Sequence, residues 1–211
     1  MTRGFDTMNK IPSKAEACRL KLLSDQRGAS LIMVLLILVI VSILGVSAAQ
    51  IALMSERGAR NDRDQQVAWQ AAEAGLIDAE FDMWNATSTR RSVFDGKSIY
   101  AFPTSGCGTS GNSAGLCAAV SSGKPAWLTV NFTTTGSSAP TTAYGTFTSS
   151  TFAAGGTGIQ PAMAPRYIIE PVLALSGDKA SPDPEVLYRV TAMGFGPRTD
   201  IQSVVQMLFR I

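Results

Sequence analysis

Residues 28–55 form an unbroken run of 28 residues without a single charge, GASLIMVLLILVIVSILGVSAAQIALMS. A helix needs about 20 apolar residues to cross the hydrocarbon core of a bilayer. The run therefore predicts a membrane-spanning helix. Burying so apolar a helix on all sides would take far more protein than the rest of a 211-residue chain provides. A secretory signal peptide is the rival reading, with an apolar stretch of about 7–15 residues and a small-residue cleavage site. Ser47, Ala48 and Ala49 mimic such a site, but this run is longer and continues unbroken into a charged helical pattern.

Charge placement orients the span. Residues 1–28 carry Arg3, Lys10, Lys14, Arg19, Lys21 and Arg27 against Asp6, Glu16 and Asp25, and six minus three gives +3. Lys and Arg beside a span favour the cytoplasmic side. The first 28 residues are thus expected inside, and everything after residue 55 outside. Removing that segment's charges from the whole-chain totals of 18 and 16 leaves 12 minus 13, or −1, for residues 29–211. Neither value suits a nucleic-acid binder that relies on a basic surface.

The helical pattern continues past residue 55. Glu56, Arg57, Arg60, Asp62, Arg63 and Asp64 form a mixed-sign collar. Glu56 precedes Arg60 by four residues, the favourable order. Val67, Ala71, Ala74, Ile77, Phe81 and Trp84 then recur every three or four residues and predict one buried stripe. Gln70, Glu73 and Glu80 fall on the opposite face. No proline occurs between Gly28 and Trp84, and Asn85-Ala86-Thr87-Ser88 is the expected terminator. One helix over residues 29–84 would extend about 84 Å at 1.5 Å per residue.

The C-terminal third has the period of strands. Tyr167, Ile168, Ile169 and Glu170 start the first, broken at Pro171, with a resumption through residues 172–175 left open. Residues 186–193 form the second, after a turn over residues 176–184. Residues 201–211 form the third, with Ile201, Ser203, Val205, Met207 and Phe209 on one side. Sequential turns make the sheet antiparallel. The expected class is α+β. A long N-terminal helix, half transmembrane (residues 29–54) and half amphipathic (55–85), precedes a globular part (86–211) whose sheet packs on the helix.

Residues 104–160 are rich in Gly, Ser, Thr and Ala, and Lys124 is the only charge between Lys97 and Arg166. Two β-like runs, residues 127–132 and 145–152, predict edge strands amid long loops. Disorder is the alternative for such a composition. An adhesive or subunit-contact surface is a further reading, resting on loops being where binding sits. Asn85-Ala86-Thr87 and Asn131-Phe132-Thr133 match glycosylation sequons and are read as chance.

Two motifs carry a family resemblance. Gln26-Arg27-Gly28-Ala29-Ser30-Leu31-Ile32 is similar to a prepilin peptidase site with Gly28 as the last leader residue. The stretch Arg63-Asp64-Gln65-Gln66-Val67-Ala68-Trp69-Gln70-Ala71-Ala72-Glu73-Ala74-Gly75-Leu76-Ile77-Asp78-Ala79-Glu80 resembles the N-terminal signature of PilX minor pilins of type IV pili. Residues 165–170 and 188–194 also look like that family, whereas the middle of the chain carries no resemblance.

The resemblance implies a type IV pilin-like fold and a subunit with no catalytic residues, cofactor or metal. It implies cleavage of the 1–28 leader between Gly28 and Ala29, and methylation of the new amino terminus of Ala29. The implied location is the inner membrane, single-pass, with the N-terminus cytoplasmic and the C-terminal domain periplasmic, and then the pilus. Prepilin peptidase, other minor pilins and the major pilin are the implied partners; no nucleic acid is expected. The implied role is to prime pilus assembly at or near the tip, supporting twitching motility and adhesion. Two departures stand out. Most pilins carry Glu at the fifth mature position, where this chain has Met33, and a proline at the twenty-second, where it has Gln50. A minor pseudopilin of a type II secretion system and a single-pass anchored binding protein are the alternatives.

Cysteine placement agrees with export. Cys18 falls in the leader, leaving Cys107 and Cys117 as an even pair on the oxidising side, where a disulfide is expected.

Chemistry is largely excluded. The chain has no histidine, so no Ser-His-Asp or Cys-His catalysis. Asp95, Glu170, Asp178, Asp183, Glu185 and Asp200 form no spaced pair and are read as solvated. Gly106, Gly108 and Gly111 match GxGxxG in letters only, with no apolar helix following.

Overall fold

A computed structural model describes residues 29–119, 122–174 and 185–211. The leader, Gly28, Cys18 and the expected turn at 176–184 lie outside the described residues. The structure divides into two compact units at Arg57 and Gly58. One helix, α1 (Ala29–Trp84), runs through both. In the first unit every large apolar side chain from residue 31 to residue 54 is exposed.

The second unit sets residues 58–84 of α1 against a four-stranded antiparallel sheet. Its strands are β1 (Thr142–Ala143), β2 (Arg166–Ala174), β3 (Glu185–Phe195) and β4 (Gln202–Phe209), in that spatial order. The three expected strands are present, and β1 adds a short fourth. β2 runs straight through Pro171, which pairs with Tyr188 of β3. Proline is tolerated there because β1 pairs only with Arg166 and Tyr167, so at Pro171 the other edge of β2 has no ladder to complete.

The helix buries a different face from the one its apolar spacing predicts. Ala68, Ala71, Ala72, Gly75, Ala79 and Met83 are buried, whereas Ile77, Phe81 and Trp84 are 52, 50 and 61 % exposed. Only Ala71 of the expected stripe is fully covered. The reason is distance. Small side chains let the helix backbone close on the sheet, and a Cβ added to Gly194 of β3 would stand 2.2 Å from both the Ala68 carbonyl oxygen and the Ala72 nitrogen. A face carrying Phe81 and Trp84 could not approach so closely.

The sheet is covered on both faces around Ile168 and Ile169, whereas Leu173, Val204 and Leu208 stay exposed. Tyr167, Ile169, Tyr188, Val190, Ala192 and Val205 pack with Ala72, Ala79 and Met83. Ile168 points the other way, as strand alternation requires, and meets Cys117, Ala126 and Phe132. The Ser/Thr/Gly-rich middle is thus an ordered layer, which answers the disorder alternative for its described residues. Its expected edge strands are absent. Residues 126–128 make a 3-10 turn, and residues 145–149 turn under a bond from Ser149 N–H to the Gly145 carbonyl. Gly145 has φ +77°, and a Cβ there would stand 1.9 Å from the Ser150 oxygen, so the run is broken where a strand was expected.

Gly194→Ala is expected to destabilise the protein by about 2–3 kcal/mol, because the new methyl meets helix backbone that cannot move aside. Thermal and urea unfolding of the variant against the native chain measure it.

Candidate assembly interface and its charged anchor

Helix α1 ends in a turn held by the predicted terminator. Asn85 N–H donates to the Phe81 carbonyl at 2.8 Å, and Asn85 Oδ1 accepts from Thr87 N–H at 3.1 Å. Asn131 Oδ1 likewise accepts from the Thr133 amide at 2.9 Å and its hydroxyl at 2.7 Å. The two sequon-like triplets are therefore Asx turns. The turn after α1 delivers Ser88 and Arg90 back beneath the helix.

There Arg90 meets Asp82, and both side chains are fully buried. Arg90 Nε donates to the two Asp82 oxygens at 3.0 and 2.9 Å, and Nη2 donates to Oδ2. Ser88 Oγ donates to Asp82 Oδ1 at 3.0 Å, and Tyr167 Oη to Oδ2 at 2.9 Å. Burial, with the Asp82 charge beside it, raises the Tyr167 phenol well above its ordinary pKa, so it stays a donor. The rest of the guanidinium is also occupied. Nη1 donates to the Ala114 carbonyl at 2.5 Å, and the plane lies 3.7 Å from the Phe147 ring centroid. Arg90 thereby ties α1 to the middle segment, and Asp82 ties it to β2 through Tyr167.

A second carboxylate on the same helix face holds the other part of that segment. Asp78 accepts from the Gly145 amide at 2.8 Å and from the Thr148 hydroxyl. Burial raises its pKa in spite of these bonds. Glu170 is buried too, accepting from Ala126 N–H at 2.8 Å and Arg189 Nε at 3.1 Å. The reading of Glu170 as solvated is corrected: it pins the 3-10 turn to β2. Asp95 and Asp200 are exposed as expected, and the side chains of Asp178, Asp183 and Glu185 lie outside the description.

Cys107 and Cys117 form the expected disulfide, with Cα atoms 4.0 Å apart. Such a short loop is worth about 3 kcal/mol on the chain-entropy account. It shapes an added edge for β2: Cys117 N–H donates to the Ile169 carbonyl, and Ile169 N–H to the Gly115 carbonyl, both at 2.9 Å. Gly106, Gly108 and Gly111 belong to this loop, and a Cβ on Gly108 would strike the Ser113 oxygen at 2.2 Å. Gly108 thus serves close packing, whereas Gly106 and Gly111 supply positive φ at 62° and 55°.

Two apolar surfaces stay open. The first unit exposes its whole apolar helix, with Met33 at 71 %. That helix is long and apolar enough to cross a membrane. Ser42 and Ser47 return their hydroxyl protons to the carbonyls of Leu38 and Ile43, so neither hydroxyl is left unsatisfied in an apolar surrounding. In the second unit Trp69, Ile77, Phe81 and Trp84 line the outward face of α1. Phe81 and Trp84 border a cavity of about 410 Å³ with Asn85, Ala86 and Arg91.

A long apolar helix whose later turns pack on an antiparallel sheet is the pilin-like layout. Residues 27–76 match the family model for the PilX N-terminal region, and residues 113–211 match that for the C-terminal part of the type IV pilus assembly protein PilX. The chain belongs to the PilX family and is a minor pilin of type IV pilus assembly. That family is a structural component of the pilus, not an enzyme family. The second match begins well before residue 165, so it takes in much of the middle that carried no resemblance. No curated protein and no solved structure matches the chain significantly.

Asp82→Asn is expected to cost about 3–5 kcal/mol, because it leaves Arg90 buried without its counter-charge. Urea unfolding measures the loss, and a second variant removing both partners should recover part of it. Asp78 gives a pH dependence of known sign. Its folded pKa lies above the unfolded value of about 3.9, so its contribution is fully present below that pH and is lost as pH rises through the folded pKa. Asp78→Asn should remove this downward slope from unfolding curves recorded over that window.

Proposed function

We propose that the leader is cut between Gly28 and Ala29 on the cytoplasmic face and that the new Ala29 amine is methylated. The mature subunit then waits in the inner membrane with its sheet domain in the periplasm. It joins other minor pilins in a priming complex on which the major pilin is added. The observation that carries this reading is the exposed apolar half of α1 in a chain of the PilX family. Such a surface is stable in lipid, or against like helices of neighbouring subunits.

Met33 supports a place at or near the tip. A carboxylate in an apolar filament core is costly unless it is paired, and in pilins its partner is a neighbour's terminal amine. A subunit with Met33 makes no demand for that partner. Twitching motility and surface attachment follow from a working priming complex. The family match favours the pilus over the secretion pseudopilus.

N-terminal sequencing and mass spectrometry of the membrane-extracted protein are expected to show methylated Ala29. An intact leader would defeat the pilin processing. Immunogold against a tagged chain is expected at pilus ends, and even labelling along the shaft would overturn the tip placement. Deletion is expected to abolish twitching while leaving type II secretion intact.

A further inference from the structure

Arg166, the first residue of β2, is a buried cation without a buried anion. It is 7 % exposed. Nε donates to Thr141 Oγ1 at 2.6 Å and Nη2 to the Thr141 carbonyl at 2.8 Å. No carboxylate pairs with it among the described residues. The contrast is Arg90, whose charge Asp82 cancels. Burial lowers the Arg166 pKa, yet a guanidinium stays protonated at neutral pH. A buried charge of this kind is unfavourable until something anionic reaches it.

The guanidinium is reachable. Arg166 lines a cavity of about 470 Å³, within the usual size of small-molecule sites. Thr109, Ser110, Asn112, Thr146 and Phe147 form other parts of its wall, and Arg166 is the one charged residue among the described lining. The cavity thus offers one positive charge and a rim of hydroxyl and amide groups. It is also preformed. Thr142 Oγ1 donates to the Ala114 carbonyl at 2.8 Å, β1 is paired to β2, and the disulfide closes the loop that supplies the rim.

We propose that this cavity binds a uronic acid, with the sugar carboxylate on Arg166 and the sugar hydroxyls on the Ser, Thr and Asn rim. A guanidinium presents paired N–H donors that suit a carboxylate. Phosphate would satisfy the charge and leave the wider rim unused. A neutral hexose would satisfy the rim and leave the charge uncompensated. The site lies within the sheet unit and does not depend on where the subunit sits in a filament.

Calorimetric titration of the full chain in detergent tests it, with sodium glucuronate, glucose and inorganic phosphate as probes at about 150 mM salt. Glucuronate is expected to saturate and to bind at least about tenfold more tightly than either control. A glucuronate disaccharide separates the two sources of this chemistry: tighter binding than the monosaccharide assigns the end of a polysaccharide, and equal binding assigns the free sugar. Arg166→Gln should abolish saturation. Because that variant also loses bonds to Thr141, Asn112→Asp is the companion. It places a negative charge on the exposed rim and should weaken glucuronate about tenfold with unchanged thermal stability. Absence of saturation by glucuronate, equal binding of phosphate, or unchanged affinity in Asn112→Asp would overturn the proposal.

Discussion

The sheet unit depends on the contact between Asp82 and Arg90. Each residue alone would be a buried charge that water no longer stabilises. Together, with Ser88, Tyr167, Ala114 and Thr142 around them, they satisfy one another and draw four parts of the chain to one point. An apolar contact there could be as stable, but it would not select one arrangement. Donors and acceptors in this number fit only when the helix, the turn after it, the disulfide loop and β2 are in register. Residues 77–112, which hold both partners, fall between the two family matches.

The small-residue face of α1 determines what remains outside. Because Ala68, Ala72 and Gly75 are turned to the sheet, Trp69, Ile77, Phe81 and Trp84 must be turned away. Close backbone approach and an exposed aromatic face are one choice seen from two sides. A subunit built this way keeps apolar surface for its neighbours without surrendering its own core.

Much of this was legible in the sequence. The absence of charge over residues 28–55, the end of the helix at Asn85 and the alternation in β4 each follow from a pattern of a few residues. The Cys107–Cys117 pairing followed from compartment and parity. The helix face was misread because apolar spacing rewards large side chains, whereas this interface selects small ones; the close fit of Gly75 and Gly194 has no signature in local periodicity. The charged anchor was equally out of reach, since no local pattern marks Asp78 and Asp82 as buried. The missed strand β1 has only two residues, fewer than any alternation can reveal. The buried Arg166 shows in sequence only as the first charge after a long uncharged stretch.

The long separation of Asp82 from Tyr167 sets an order of events during synthesis. Eighty-five residues must follow Asp82 before its phenol partner exists. Through that interval the small-residue face of the helix has no sheet to cover it, and Asp78 and Asp82 stand in water as free carboxylates. A purely apolar face left uncovered would associate with other apolar surfaces. Two carboxylates toward the end of that face keep it from being wholly apolar until the strands arrive. The residues that end as the anchor of the finished domain thus begin as the guard of the unfinished one.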